Sequence, residues 1–379
     1  MNVLINATTL VKGGGIQVAA SFIAETLRAA DEITWHYALS EQVMTELKAL
    51  GAIPERAEIF ADPPTRSKAA RRRLLDLETR TAADVVFTVF GPAYVRFRVP
   101  HVCGVAVCWV THSTWLAYRA LPGWLARAKA LAMNVYKGLW LRPADRWVVE
   151  ADNALRGLSR RIGIARDKID VVPNSCAAIF REAAIAPARR PEPGEPVRLL
   201  YVTAYYPHKN LEIIPQVAAE LAARGGTTTY EFVITVPESE PRLTAIMNEA
   251  RALGIDSMIK NVGPVTLNEV VELYRDSHIC FMPSLLETFS ASYPEAMAMG
   301  RPIVASDLDF ARAVCTDAAV YFRADSASAA ADAVIRLLED QALWDQCISR
   351  GRQVLETLPT ARRKYELFVA SIRKAALSR

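Results

Sequence analysis

The chain has 379 residues, 51% hydrophobic and 23% charged, with a formal net charge of +4. That length exceeds what one hydrophobic core usually supports, so two domains are expected, and the composition excludes wholesale disorder. No run of about 18 apolar residues occurs, and Met1–Asn6 lacks the basic and long apolar regions of a secretory signal, so the expectation is a cytoplasmic chain without a transmembrane helix.

Val3–Asn6 reads as a first strand, followed by a glycine turn and a helical run from Gln17 to Ala29. Trp35–Leu39, Val85–Phe90, Val102–Val110 and Trp147–Glu150 read as further strands separated by helical patterns, as a parallel α/β sheet requires. From Val85 to Ala144 there is no acidic residue. That stretch mixes Trp109, Trp115, Trp124 and Trp140 with Arg and Lys, and a helix is expected from Trp115 to Trp140. Residues 1–175 hold 23 Lys and Arg against 16 Asp and Glu, so this half should present a positive face. Cationic helices with interfacial aromatics bind anionic membranes without spanning them, which makes an anionic membrane surface an expected partner. Packing of the same Trp and Leu side chains into a core is the competing reading.

The proline- and charge-rich segment 184–196 reads as a linker. A second alternating series follows, with strands at Leu199–Thr203, Phe232–Val236, Ile259–Val262, Ile279–Met282 and Pro302–Ala305. Helices are expected at Leu211–Ala223, Ala329–Leu338 and Ala361–Leu377. The expected organisation is a first Rossmann-like domain over 1–183, a second over 197–358, and a C-terminal helix, 359–379, packing back toward the first domain. Open parallel sheets bind ligands beyond the carboxyl ends of their strands.

The six cysteines show neither Cys-x-x-Cys nor zinc spacing and are expected as reduced core thiols. Glycines in Lys12-Gly-Gly-Gly-Ile-Gln17 allow close approach of a phosphate or sugar, with Gly14 and Gly15 the candidate positions. The run lacks the dinucleotide fingerprint, which weakens a dehydrogenase reading. His112, after an apolar run, is a candidate on position alone. Lys209, in Tyr206-Pro-His-Lys-Asn210, would add a full charge to a helix start and bind phosphates. Glu287 falls in the loop after Ile279–Met282. A helix starting near Ser290 would offer open N–H groups to a diphosphate and carry Glu295 in its second turn. Two glutamates eight apart also arise by chance on solvated helix faces, but the strand, Phe289, Pro294-Glu-Ala and Gly300-Arg-Pro302 around them make the pattern specific.

These segments resemble the family 4 retaining glycosyltransferases of the GT-B fold, whose C-terminal domain carries Glu-x7-Glu, matched by Glu287 and Glu295. The likeness continues through Ile303-Val-Ala-Ser-Asp-Leu-Asp-Phe-Ala311, Asp317–Phe322 and Val172-Pro-Asn-Ser175. The resemblance implies two Rossmann-like parallel-sheet domains facing across a cleft. It implies that Glu287 contacts the donor sugar and Glu295 the ribose. Lys209, Gly14, Gly15, Thr203, Phe289 and Ser290 fall to the donor phosphates, His112 to the donor sugar, and Asn174 to the cleft. Thr203 stands where many members place an arginine, so either its hydroxyl substitutes or phosphate binding leans on Lys209. Only the histidine of the family's His-Asp pair is present, because Ser113 follows His112. No metal and no cofactor are implied; Asp307-Leu-Asp309 is read as a turn. The implied activity is metal-independent, retaining transfer of a hexose-type sugar from a nucleotide-diphosphate sugar to a glycan or polyprenyl-linked acceptor, in bacterial surface polysaccharide synthesis. Nucleic acid is not an expected partner. A nucleotide-sugar epimerase of the same fold and a noncatalytic nucleotide-sugar binding protein are the alternatives.

Overall fold

The computed structural model describes residues 1–183, 186–224 and 226–377, so the first two residues of the expected linker lie outside the described ones. The chain divides into two compact units. The first takes in Met1–His112, Ala128–Asn174 and Pro359–Arg379, and the second Ser113–Arg127 and Ser175–Leu358.

The first unit is built on a parallel seven-stranded sheet. Its strands are β1 (Asn2–Ala7), β2 (Thr34–Ser40), β3 (Ala57–Phe60), β4 (Val85–Thr88), β5 (His101–Val105), β6 (Arg146–Val149) and β7 (Ile169–Val171). They lie in the order β3-β2-β1-β4-β5-β6-β7. β4 and β5 are buried throughout, as strands covered by helices on both faces must be. Helix Gly15–Arg28 packs Phe22 and Ile23 onto this sheet. Helix Ala361–Ala376 buries Tyr365, Phe368, Val369 and Ile372 on one face. Phe368 meets Phe22 and Phe87 at ring-centroid distances of 5.1 and 5.2 Å, so the end of the chain completes the core of its beginning.

The second unit carries a parallel six-stranded sheet. It comprises β8 (Val197–Tyr201), β9 (Tyr230–Ile234), β10 (Ile259–Asn261), β11 (Ile279–Met282), β12 (Ile303–Ser306) and β13 (Ala319–Phe322), in the order β10-β9-β8-β11-β12-β13. In each sheet the winding reverses once, between β1 and β4 and between β8 and β11. Such switch points open a crevice at the carboxyl ends of the strands.

Three sequence expectations change here. The apolar run Val102–Val110 is a strand only as far as Val105, and Cys108–Thr111 form a helical turn. A continuous apolar run does not distinguish a buried strand from a buried turn of helix. The expected helix Trp115–Trp140 is two helices, Trp115–Arg119 and Gly123–Leu141, broken where Gly123 adopts φ +77°. The helix expected near Ser290 begins at Ser292, which puts Glu295 in its first turn rather than its second. The short edge strands β3 and β7 were not expected from the pattern. All six cysteines are free, four of them buried.

Candidate active site

The switch point of the second unit is where chemistry-bearing side chains gather. Two loops leave it side by side, one after β8 and one after β11, because these strands are paired neighbours. Tyr201 ends β8, fully buried. Its hydroxyl lies 2.7 Å from Ser284 Oγ and 3.1 Å from the Lys209 carbonyl oxygen, joining the two loops from below. The Leu285 N–H donates to the His208 carbonyl at 2.7 Å. Asn210 takes the left-handed conformation, φ +56°, which asparagine tolerates better than most residues. Its side-chain amide then donates to the carbonyls of Pro283 and Ala324 at 3.2 and 3.3 Å.

This framework delivers Lys209 Nζ onto Glu287 Oε1, in an ion pair whose side chains are only 16% and 11% exposed. Ser284 Oγ donates to the same carboxylate oxygen at 3.0 Å. Burying either charge alone would be costly, and the two are buried as a pair. His208, beside them, is pushed down to about 4 by burial, with the Lys209 charge acting in the same sense against the opposing pull of Glu287. The imidazole is therefore neutral at neutral pH.

Glu295 lies one helical segment further on. The Tyr274 hydroxyl donates to its Oε2 at 3.3 Å. By surface area the residue is partly exposed, yet it is crowded by protein on most sides. Desolvation raises its carboxyl to about 7, and the Tyr274 hydrogen bond and the Lys209 charge offset this only in part. Ser290 is buried and Phe289 half-buried against the core of the unit, both in the loop before helix Ser292–Ala298. Thr203 is engaged elsewhere. Its N–H donates to Thr235 Oγ1 at 2.8 Å and its hydroxyl to the Ala204 carbonyl at 2.9 Å.

The first unit holds the other expected residues, at the carboxyl side of its sheet. Gly14 caps helix Gly15–Arg28 without a side-chain hydrogen bond, and the Ile16 and Val18 N–H groups donate to the Gly13 and Gly14 carbonyls, each at 3.2 Å. A Cβ on Gly15 would stand 3.2 Å from both Leu10 and Phe90 side chains, so the loop packs tightly there. His112 closes the turn Cys108–Thr111, with Nδ1 2.7 Å from Thr111 Oγ1. Asn174 Oδ1 accepts a 2.5 Å hydrogen bond from Lys364, which anchors the C-terminal helix. Burial brings the Lys364 ammonium down to about 8, opposed by the Glu150 charge.

Sequence reasoning missed Tyr201, Ser284, Asn210, Tyr274 and His208. Only His208 and Asn210 carried a signal, as the neighbours of Lys209. Among the described residues no group of three or more His, Cys, Asp or Glu is placed to hold a metal ion. Asp307 pairs instead with Arg312, and Asp309 opens helix Asp309–Cys315.

Two parallel, doubly wound sheets, each with its own switch point, are the architecture of the GT-B fold. Two family models match consecutive stretches of the chain: Glycosyltransferase Family 4 over residues 13–176 and Glycosyl transferases group 1 over residues 184–354. The chain belongs to the family 4 glycosyltransferases. A D-inositol 3-phosphate glycosyltransferase of Nocardia farcinica is 30% identical over 207 residues, 52% of this chain and 46% of that relative. The match thus spans somewhat less than half of the relative's length. Among solved structures, a glycosyltransferase from Rickettsia africae aligns with TM-score 0.72 at 12% identity, covering 100% of this chain and 99% of that one. HepE from Anabaena, in complex with UDP and glucose, aligns with TM-score 0.70 at 14% identity, covering 99% and 100%. These similarities of structure concern the fold.

Proposed function

We propose that this glycosyltransferase moves a hexose-type sugar from a nucleoside-diphosphate donor to a glycan or lipid-linked glycan, retaining the anomeric configuration and using no metal. The observation that carries the reading is the Lys209–Glu287 pair at the switch point of the second unit. Lys209 brings a fixed positive charge to the place where a diphosphate leaving group develops negative charge, which is the electrostatic task a metal performs in other transferases. Glu287, held by Ser284, accepts hydrogen bonds from the sugar. Glu295 accepts from the ribose diol, and the N–H groups around Phe289 and Ser290 add to the phosphate site. Thr203 contributes backbone position rather than its hydroxyl.

In the reaction the bond from the anomeric carbon to the diphosphate oxygen breaks, and a bond to the acceptor hydroxyl oxygen forms on the same face. The acceptor proton passes to the departing phosphate, so no side chain need act as a strong base. A neutral His208 beside the pair leaves Lys209 as the cation that meets the phosphates. In the first unit, the family resemblance assigns His112 to the donor sugar, Gly14 and Gly15 to phosphate or acceptor, and Asn174 a minor part.

HepE is solved with UDP and glucose, which supports a nucleotide-sugar donor here. The inositol phosphate relatives favour a second reading of the acceptor, a small phosphorylated polyol drawn to the basic first half. The surface-polysaccharide reading places the enzyme at the cytoplasmic face of a membrane. The test is a panel of UDP-, GDP- and dTDP-linked sugars incubated with the protein, with and without each acceptor class. Acceptor-dependent release of nucleoside diphosphate supports transfer. Interconversion of donor sugars without acceptor would instead indicate an epimerase, and no turnover with any donor a binding protein.

A further inference from the structure

Helix Gly123–Leu141 has 19 residues, of which only Gly138 and Leu141 are buried. It is held at its C-terminal end. A Cβ on Gly138 would come within 2.8 Å of Ile162, and Tyr136 and Trp140 pack beside Tyr94 at 6.0 Å between ring centroids. Its other face is bare. Trp124, Leu125, Leu131, Val135 and Leu139 are each more than half exposed, and Ala128 and Ala132 are exposed between them. Positions 124, 128, 131, 135 and 139 recur at helical spacing, so they form one stripe, about 22 Å long at 1.5 Å per residue. The core-packing alternative for these residues does not hold. A contiguous apolar surface of this kind marks an interaction site.

The charges around the stripe are mostly positive, with Asp62 and Asp76 the exposed acids of the flanking segment. Lys129 is exposed on the same helix. The Arg71 guanidinium lies 5.9 Å from the Trp140 ring centroid, which sets the first turn of helix Lys68–Arg80 beside the stripe's C-terminal end. Arg66, Lys68 and Arg72 are exposed there. Arg73 and Arg80 are excluded from this set because Glu58 pairs with both. No acidic residue occurs between Val85 and Ala144, so the helix bearing Lys129 carries none, and Arg66, Lys68 and Arg72 outnumber the exposed Asp62 and Asp76 beside them. A second copy docking through this face would set like charges against each other, because a two-fold contact pairs a patch with itself. Among the described residues no helix is long and apolar enough to cross a membrane.

We propose that this face is a docking surface for an anionic membrane. The stripe Trp124–Leu139 enters the headgroup boundary, while Lys129, Arg66, Lys68 and Arg72 meet lipid phosphates, an arrangement amphipathic interfacial helices share. The proposal deepens the lipid-linked acceptor reading and rests on it for the choice of lipid over an acidic protein.

The experiment is flotation of the full chain with phosphatidylcholine vesicles, with and without about a third phosphatidylglycerol, at low and high salt. Wild type floats with the anionic vesicles, less so at high salt, and not with the neutral ones. The double variant Leu131→Gln/Val135→Gln loses at least about tenfold in vesicle affinity. Its melting temperature and its transfer to a water-soluble acceptor stay unchanged. The proposal is overturned if wild type fails to float with anionic vesicles at low salt, or if the double variant floats as well as wild type. It is also overturned if wild type forms a dimer that the double variant abolishes, with no vesicle binding by either. Flotation requires no turnover. A protein that transfers sugar without floating therefore removes the docking surface alone, and one that floats without transferring removes the transfer reading alone.

Discussion

Lys209 and Glu287 are 78 residues apart in the chain and form an ion pair, because the loops that carry them leave neighbouring strands at the one point where the sheet of the second unit reverses its winding. The pair is cross-braced by Tyr201, Ser284 and Asn210, none of which carries charge. Their hydrogen bonds fix the loops, and the loops fix the charges.

Glu295 gives a test by pH. Its carboxyl, ordinarily near 4.5, is raised to about 7 in the folded chain. Between these values the folded protein holds a proton that the unfolded chain releases, so stability from this group is fully present below about 4.5 and is lost as pH rises through about 7. His208 and His101, lowered to about 4 and about 3, act in the opposite sense. They cancel in a difference between wild type and Glu295→Gln. Melting temperatures of the two, measured from about pH 5 to 8, should diverge in the variant's favour as pH rises. Parallel curves would show that Glu295 titrates normally.

Removal of metal should leave the rate intact. With Lys209 supplying the positive field, activity in excess EDTA is expected to match the untreated enzyme within about twofold. Strict dependence on added magnesium or manganese would remove Lys209 from its assigned part.

The proposed same-face attack carries a stereochemical prediction. An NMR time course of the product should show the donor's anomeric configuration kept. Inversion would require a base on the opposite side of the ring and would refute the front-face mechanism.

The C-terminal helix is predicted to be structural. Phe368→Ala removes an aromatic side chain packed on Phe22 and Phe87, and such truncations cost about 3–5 kcal/mol. Thermal or urea unfolding should show a loss of that size, with donor affinity at permissive temperature preserved. A change below about 1 kcal/mol would mean that the helix is dispensable to the core of the first unit.

Much of this was legible in the sequence, and the reasons are specific. Val85–Thr88 and Ile279–Met282 announce themselves as buried parallel strands because both faces are covered and every residue is apolar or small. Lys209 and Glu287 were legible through the family's motifs, since on spacing alone each reads as an ordinary solvated charge. Tyr201 and Ser284 were not, since a tyrosine ending a strand and a serine in a loop occur everywhere, and only the fold brings them within 2.7 Å. The edge strands Ala57–Phe60 and Ile169–Val171 are short and partly exposed, which blurs their period. The exposure of Leu131, Val135 and Leu139 was undecidable from periodicity, because an apolar stripe looks the same whether protein or solvent lies against it.

The central claim is a division of labour in which Lys209 holds the diphosphate and Glu287 holds the sugar. Calorimetric titration of the preferred nucleoside diphosphate into wild type, Lys209→Ala and Glu287→Ala, paired with initial transfer rates, tests it most directly. Losing a charge-assisted contact of about 1.5–3 kcal/mol, Lys209→Ala should bind the diphosphate roughly 10- to 100-fold more weakly. Glu287→Ala should bind it within about threefold of wild type while transfer is abolished. Unchanged diphosphate affinity in Lys209→Ala, or full transfer by Glu287→Ala, would contradict the account.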